Sequence, residues 1–266
     1  MSIANATSPD APLIERRDDG AVRTLTLNRP AARNALSESM IAALRGALAA
    51  AAADSSVRAI VLAAAGPVFC SGHDLKELRQ KNDPDWTAKL FSACSELMIE
   101  MTRVPQPIVA RVQGTATAAG CQLVATADLA VSADTAHFAT PGVNIGLFCS
   151  TPMVALSRNV GRKHAMEMLL TGSPITASRA AEIGLINRAV PAAQLDSAVA
   201  ELTSAIIGKA GRVLSIGKRA FYEQAEKPLS DAYAFTSAVM AKNMLEPDAH
   251  EGIDAFLGKR APTWCS

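Results

Sequence analysis

The sequence is poor in aromatic residues and almost free of net charge. Aromatics make up 4% of its 266 residues whereas 49% are hydrophobic, so its core must be built mainly from aliphatic side chains. The 26 basic and 25 acidic residues nearly cancel. Proteins that bind nucleic acid or an anionic membrane through their overall field carry a basic excess, so we expect neither partner. Any phosphate contact must therefore be local.

Cysteine pairs and targeting signals are also missing. The cysteines are odd in number and form no CxxC pair, which argues against a disulfide framework and against a metal site. Residues 1–20 lack the apolar segment of a secretory signal, and no apolar run reaches membrane-spanning length. We therefore predict a soluble, cytoplasmic protein. Its thiols are expected to be reduced, and they belong to Cys70, Cys94, Cys121, Cys149 and Cys265.

Apolar strands alternate with helical segments through most of the chain. Ser37 is the expected N-cap of a helix that ends near Asp54. This alternation predicts an α/β fold with crossover connections. Residues 1–11 are predicted to form a disordered tail, and the pattern after Pro191 is helical to the end. The predicted strands are 22–28, 58–64, 108–114, 129–133 and 183–190.

Three segments in order resemble the active-site motifs of the crotonase superfamily, the enoyl-CoA hydratase/isomerase proteins. They are GPVFCSGHDLKEL (66–78), GTATAAGCQLVATAD (114–128) and FATPGVNIGL (138–147). Each motif alone is weak, but their order and spacing together are specific. The segments SGHDLKEL, AAGCQLVA and TPGVNIGLFCSTP are most similar to a group within the superfamily named enoyl-CoA hydratase domain-containing protein 3.

The resemblance covers nearly the whole chain and has consequences for fold and ligand. It implies a crotonase spiral of ββα turns over residues 12–194 and a C-terminal helical region, 195–266, that trimerises. The implied ligand is an acyl-CoA thioester, bound by a homotrimer or a dimer of trimers. No separate cofactor is expected, because CoA enters as part of the substrate.

The resemblance also implies an oxyanion hole made of two backbone N–H groups. The residues at the matching positions are His73 and Ala119. An enolate formed from a thioester carries negative charge on its carbonyl oxygen, which two preorganised donors stabilise. Gly72 permits a close approach of the backbone, although turn and packing roles would also account for the glycines of these motifs. The usual glycine triplet is here Ala118-Ala119-Gly120.

Two positions depart from the hydratase pattern, which has a glutamate at each. Gln122 stands at one of them and Gly142 at the other. An amide does not exchange protons near neutral pH, and glycine has no side chain. Addition of water to an enoyl thioester needs a base for the water and an acid for the α-carbon. We therefore expect ordinary hydratase activity to be weak.

Other residues of the motifs are candidates for substituting or assisting roles. His73 titrates in a useful range where the family usually has alanine, although a CoA-facing or solvated imidazole is the simpler interpretation. Asn144 and Ser150 are expected to orient substrate. Cys121 and Cys149 are more simply interpreted as small buried residues than as nucleophiles.

Contacts with CoA are implied at two places. The backbone around His73, Asp74 and Leu75 is expected to receive the adenine and the pantetheine. Lys76, or Lys259 and Arg260, are candidates for the phosphates, although solvated charges on helix faces are an equal alternative. Asp74 also stands where it would cap a helix.

Three functional hypotheses remain open at this stage. The first is an enzyme that stabilises an enolate without the glutamate pair, which includes weak hydration with an unorthodox acid. The second, a variant of the first, is a decarboxylase of malonyl-type thioesters, because loss of CO₂ generates the enolate without a base. The third is a catalytically silent acyl-CoA binding or regulatory protein.

Overall fold

The computed structural model describes residues 11–265. The predicted disordered tail, 1–11, lies outside the described residues except for its last position. Within residues 11–265 the strands are β1 (Ile14–Asp19), β2 (Val22–Leu27), β3 (Ala59–Ala64), β4 (Val68–Cys70), β5 (Ile108–Val112), β6 (Thr115–Thr117), β7 (Leu129–Ala133), β8 (His137–Ala139), β9 (Ile175–Thr176) and β10 (Arg188–Val190).

Helices connect most of these strands and form the C-terminal part of the described chain. They are α1 (Glu38–Ala52), α2 (Leu75–Lys81), α3 (Pro84–Arg103), α4 (Ala119–Thr126), α5 (Pro152–Asn159), α6 (Arg162–Thr171), α7 (Ala177–Glu182), α8 (Leu195–Ile207), α9 (Gly211–Gln224), α10 (Leu229–Asn243) and α11 (Pro247–Leu257). Short 3₁₀ helices span Pro30–Ala32, Pro141–Ile145 and Ala192–Gln194. No helix among residues 11–265 is both long and apolar enough to cross a membrane.

The strands form two sheets. The six-stranded sheet has the order β1-β2-β3-β5-β7-β10, in which β1 and β2 are antiparallel and the other pairs are parallel. The four-stranded sheet has the order β4-β6-β8-β9, with β4, β6 and β8 parallel and β9 antiparallel to β8. From β3 to β8, each turn of the chain adds one strand to each sheet and then one or two helices. The predicted α/β fold with ββα turns is thereby confirmed.

Aliphatic side chains fill both faces of the larger sheet. All six residues of β3 are buried, as expected for a parallel strand that is covered on both sides. One face packs against α1 and α3, and Leu195, Ala198 and Val199 of α8 cover the other. Ser37 accepts a hydrogen bond from Met40 N at 3.2 Å, which confirms the predicted N-cap of α1.

The predicted strand over 183–190 is only partly correct. Only Arg188–Val190 pairs with β7, because residues 183–187 form a turn in which Gly184 has a φ of +83°. Asn187 still links this turn to β7, because its side-chain oxygen accepts a hydrogen bond from Ala130 N at 2.7 Å.

A buried polar cluster connects α9 to the part of the fold that precedes the C-terminal helices. Lys218 Nζ donates to Asp128 Oδ2 at 2.7 Å and to the carbonyl oxygens of Met101 and Gln106, each at 3.0 Å. Tyr222 Oη donates to Asp128 Oδ1 at 2.9 Å. Burial lowers the pKa of Lys218, while the neighbouring Asp128 opposes that shift. Asp128 lies just after α4, so this cluster joins the C-terminal helices to that helix.

Candidate active site

The three sequence motifs meet at one edge of the four-stranded sheet. Strands β4, β6 and β8 are parallel neighbours, so their carboxyl ends lie side by side. Gly72 and His73 follow β4, Ala118 and Ala119 follow β6, and Thr140 follows β8. This edge, at the carboxyl ends of parallel strands, is where ligands commonly bind in open α/β sheets. Sheet order therefore brings together segments that are separated by 45 positions, from His73 to Ala118, and by 22 positions, from Ala118 to Thr140.

The backbone N–H of His73 points away from Leu36, the residue with which His73 is paired. Leu36 forms a parallel bridge with His73, in which Leu36 N donates to Gly72 O at 2.8 Å. Asp74 N donates to Leu36 O at 3.2 Å. In this parallel bridge the hydrogen bonds of Leu36 are made with Gly72 and Asp74, the residues before and after His73. The N–H of His73 itself therefore points away from Leu36. Within residues 11–265 it has no acceptor.

The backbone N–H of Ala119 is the second free donor. Ala119 is the first residue of α4, and the first N–H groups of a helix have no acceptor within it. A Cβ atom built on Gly72 would lie 3.4 Å from Ala119 N, which shows how closely the two segments approach. All of α4 is buried, so the positive end of its dipole is poorly screened by water.

Two backbone features allow this approach. A Cβ atom at Gly120 would lie 2.2 Å from Cys70 O, so α4 begins in direct contact with the backbone of β4. Ala118 has φ +51° and ψ −120°, a conformation that non-glycine residues rarely adopt. Its N–H donates to Ala139 O at 2.9 Å, and its carbonyl accepts from Gln122 N at 3.0 Å. Ala118 therefore contacts the third motif through its N–H and the first turn of α4 through its carbonyl.

Gln122 places an unpaired amide at this edge. The residue is 4% exposed, and its Oε1 atom is buried without a hydrogen-bond partner among the described residues. A buried amide oxygen without a partner is costly, so a group that binds there and donates a hydrogen would be stabilised.

Gly142 occupies a position that has no room for a side chain. A Cβ atom there would lie 2.6 Å from Leu147 O and 2.9 Å from Cys149 Sγ. The loop is closed by a hydrogen bond of 2.9 Å from Leu147 N to Gly142 O. The space beside Gly142, where the resemblance implies a glutamate, is therefore filled by the backbone of this loop and by a thiol. Burial raises the pKa of Cys149, although the N–H of Gly142 acts in the opposite direction.

The imidazole of His73 is uncharged at neutral pH. Burial lowers its pKa to about 4. The ring packs with its edge toward Phe91, with the ring centroids 4.8 Å apart. Its Nε2 atom is buried and has no partner among residues 11–265. His73 thus combines a free backbone donor with a free, neutral ring nitrogen.

Asp74 is engaged in structural contacts. Its carboxylate caps α2 by accepting from Lys76 N at 3.1 Å and from Glu77 N at 3.2 Å, and it pairs with Arg29 Nη1 at 2.8 Å. Burial opposes ionisation, but the N–H of Glu77 and the Arg29 guanidinium outweigh it and lower the pKa of Asp74. Leu75 and Lys76 are exposed on α2. An open depression of about 440 Å³ lies beside them, lined by Arg29, Ser37, Ser39, Asp74, Lys76, Glu77 and Gln80.

The remaining predicted site residues follow the two donors in sequence. They are Asn144, Ser150, Lys259 and Arg260. Asn144 is exposed, with its side chain against Gly172. Ser150 is exposed, and its hydroxyl lies 3.4 Å from Phe148 O. Lys259 is exposed in a left-handed conformation, and Arg260 forms a two-point ion pair with Glu251. The hydrogen bonds and ion pairs of residues 11–265 connect neither Lys259 nor Arg260 to the edge that holds His73 and Ala119.

One residue of the site was not predicted from the sequence. Thr140 is 1% exposed and its hydroxyl has no partner among the described residues. It follows Ala139, whose carbonyl accepts the N–H of Ala118. A polar residue directly after a buried strand of the third motif was the available signal.

Comparisons with known proteins agree with this fold. A family model described as enoyl-CoA hydratase/isomerase matches residues 17–266. The chain is 47% identical over 249 residues to enoyl-CoA hydratase domain-containing protein 3, mitochondrial, of Rattus norvegicus, covering 94% of this chain and 83% of that protein. An enoyl-CoA hydratase structure from Mycobacterium smegmatis has a TM-score of 0.94 at 52% identity, covering 96% of this chain and all of that one. Human enoyl-CoA hydratase domain-containing protein 3 gives 0.92 at 45% identity, covering 95% of this chain and 100% of that one.

The predicted cytoplasmic location is contradicted by these relatives. The proteins of Rattus norvegicus, Mus musculus and Homo sapiens are named as mitochondrial. Balanced charge and unpaired thiols are compatible with either compartment, so composition was an inadequate basis for that prediction.

Proposed function

The chain belongs to the enoyl-CoA hydratase/isomerase family, the crotonase superfamily, and we propose that it binds acyl-CoA thioesters and stabilises their enolates. The thioester oxygen accepts hydrogen bonds from the backbone N–H groups of His73 and Ala119. The observation that carries this proposal is that both donors are unpaired at one edge of the four-stranded sheet. Loss of one such donor typically lowers a rate ~10²–10³-fold.

The CoA moiety is proposed to extend from this edge along the start of α2. The open depression beside Asp74 contains Arg29 and Lys76, which are the local cations that its phosphates require. Lys259 and Arg260 do not reach the edge through the contacts of one chain. A role for them at the phosphates would require a neighbouring copy.

Enolate formation by decarboxylation is the reaction that these residues favour. The side chains of His73 and Gln122 are uncharged at neutral pH, because the imidazole of His73 is neutral and Gln122 carries an amide. Burial holds the thiols of Cys121 and Cys149 in the protonated form. A malonyl-type carboxylate would be poorly solvated there, and loss of CO₂ transfers its charge to the oxyanion hole without a base. A silent acyl-CoA binding protein is the alternative.

A homotrimer or dimer of trimers is proposed for the assembly. Large apolar side chains are exposed on α9–α11, among them Phe221, Leu229, Tyr233, Phe256 and Leu257. Contiguous exposed apolar surface is typical of interaction sites. Sedimentation equilibrium should give three or six chains, and a monomer at micromolar concentration would contradict this.

The binding proposal is tested with a matched pair of ligands. Butyryl-CoA and its thioether analogue S-butyl-CoA differ in the carbonyl oxygen. Calorimetry should show butyryl-CoA binding at least about tenfold more tightly. Equal affinities would show that the two N–H groups do not bind the carbonyl. Release of CO₂ from malonyl-CoA then separates the decarboxylase from the silent binding protein.

A further inference from the structure

Helix α4 carries one of the two proposed oxyanion donors, the N–H of Ala119, at its amino end. Backbone contacts fix this end, because Ala118 N donates to Ala139 O at 2.9 Å and Gly120 lies against the backbone of Cys70. The first N–H groups of a helix point along its axis, so the direction of the Ala119 donor follows the direction of α4. A rigid segment that is held at one end can still tilt, so its direction is fixed only when the other end is held as well.

Asp128 anchors the opposite end of α4. It follows Thr126, the last residue of the helix, by two positions. Its Oδ2 atom accepts from Ile108 N and from Lys218 Nζ, each at 2.7 Å, and its Oδ1 atom accepts from Tyr222 Oη at 2.9 Å. The side chains of Lys218 and Asp128 are only 7% and 17% exposed, so water weakens this ion pair little.

We propose that Lys218 and Asp128 are positioning residues that set the direction of the Ala119 N–H. This inference rests on the proposed function, because it concerns the same oxyanion donors. Asp128 acts through α4, and Lys218 acts through Asp128 across 90 positions of sequence. Lys218 Nζ is itself held in place, since it also donates to the carbonyl oxygens of Met101 and Gln106, each at 3.0 Å.

A displacement at the carboxyl end of α4 reaches the donor because the helix is short and tightly enclosed. All eight of its residues are buried, so close packing makes it move as one body rather than bend. The distance from one end to the other is about 12 Å at the usual rise per residue. Hydrogen bonds weaken as the angle at the hydrogen departs from linearity, so a tilt of α4 weakens the bond from Ala119 to a thioester oxygen.

The ratio of the affinities for butyryl-CoA and S-butyl-CoA measures this bond separately from the rest of the ligand. Calorimetry of the full chain should show that Lys218→Met lowers the ratio at least about threefold, while the affinity for S-butyl-CoA changes less than about twofold. Tyr222→Phe removes one hydrogen bond of Asp128 and keeps the ion pair, so its ratio should lie between those of the native protein and Lys218→Met. Circular dichroism establishes that each variant is folded.

Arg23→Met provides the matched control for the loss of a buried cation. The side chain of Arg23 is 2% exposed and pairs with Asp18 at 2.9 Å and with Asp54 at 2.7 Å, and neither partner belongs to α4. This variant should lose stability and keep the native ratio. An equal decrease in the ratio for Arg23→Met and Lys218→Met would show a general effect of destabilisation and would overturn the inference.

The remaining outcomes separate this inference from the proposed function. A native protein that prefers butyryl-CoA, together with the same preference in Lys218→Met, overturns the positioning role and leaves the proposed function standing. If Lys218→Met does not fold, a native ratio in Tyr222→Phe overturns the positioning role in its place. Equal affinities of the native protein for the two ligands overturn the proposed function and this inference together.

Discussion

The Cβ atom of Ala118 lies 2.8 Å from the position that a Cβ atom would take on Gly72. The two residues therefore cannot both carry side chains in this backbone. The alanine stands in a position where the family's triplet usually has glycine, and the glycine opposite supplies the missing space. This pair sets the separation of the two segments that present His73 and Ala119.

Substitution of Gly72 by alanine should damage stability and binding together. Its φ of +93° is strained for alanine, which costs about 1–3 kcal/mol, and the crowding against Ala118 costs about 1–3 kcal/mol more. Gly20→Ala is the control, because Gly20 has a φ of +54° and no atom within 4 Å of its Cβ position. Urea unfolding should show a clearly larger loss for Gly72→Ala. Equal losses would mean that crowding contributes nothing.

Replacement of Ala118 by glycine should instead stabilise the protein. The strain of alanine at φ +51° and ψ −120° is relieved, which outweighs the greater entropy of glycine in the unfolded chain. We expect the free energy of unfolding to rise by about 1 kcal/mol. Urea denaturation measures it, and a loss of stability would show that packing of the methyl group is the larger effect.

The two positions that lack glutamate should respond differently when it is introduced. Gln122→Glu is nearly isosteric and should fold. Gly142→Glu drives a Cβ atom against Leu147 O, and we expect a loss of about 2 kcal/mol or more. The pair of changes should therefore fail to restore crotonyl-CoA hydration.

Gly142→Ala serves as the control for Gly142→Glu, since it introduces the same Cβ atom without a charge. Hydration is followed through the absorbance of the enoyl thioester. A stable double variant that hydrates at enzymatic rates would show that the loop of Leu147 yields easily.

Stability should decrease as the pH is lowered from about 6.5 to 4, to an extent that depends on His73. Its pKa is about 4 in the folded protein and near 6.5 when unfolded. Between these values the unfolded chain binds a proton that the folded chain does not, so stability falls as pH decreases from about 6.5 to 4. The loss should be on the order of 2–3 kcal/mol. Urea titrations of His73→Phe should show that much less pH dependence, and identical curves for the two proteins would contradict the burial of the imidazole.

Substitution of Lys218 should weaken the packing of the C-terminal helices, and lower the free energy of unfolding, more than substitution of an exposed lysine does. Lys218→Met leaves the Asp128 carboxylate buried without its counter-ion, which typically costs about 3–5 kcal/mol. Lys242→Met changes an exposed lysine of α10 and should stay within about 0.5 kcal/mol. Limited proteolysis should cut the Lys218 variant sooner between α8 and α10. Equal proteolysis of both variants would refute the fastening role.

Local patterns predicted much of the fold. The N-cap at Ser37 and the strands β2, β3, β5 and β7 follow from residue type and spacing over a few positions, whereas β1 was not predicted. The strand predicted at 183–190 was too long, because its apolar residues gave no sign that Gly184 would turn at a φ of +83°.

Contacts between distant segments were beyond prediction from those patterns. The identity of Gly142 showed that a carboxylate was missing, but only the structure shows that Leu147 and Cys149 fill its place. The same holds for Thr140, whose importance depends on the absence of a partner rather than on its residue type.

The two donors at His73 and Ala119 belong to the main chain, which every residue except proline supplies. Selection on the proposed oxyanion hole would therefore act on the path of the backbone, through Gly72, Gly120 and the turn at Ala118, and hardly on the side chains of the donors. Mutation can exchange the surrounding acids, bases and specificity groups while the charge-stabilising element is inherited unchanged. A carboxylate can then be introduced at Gln122 more readily than at Gly142, where Leu147 O and Cys149 Sγ leave no room for a side chain, without dismantling the proposed ligand site.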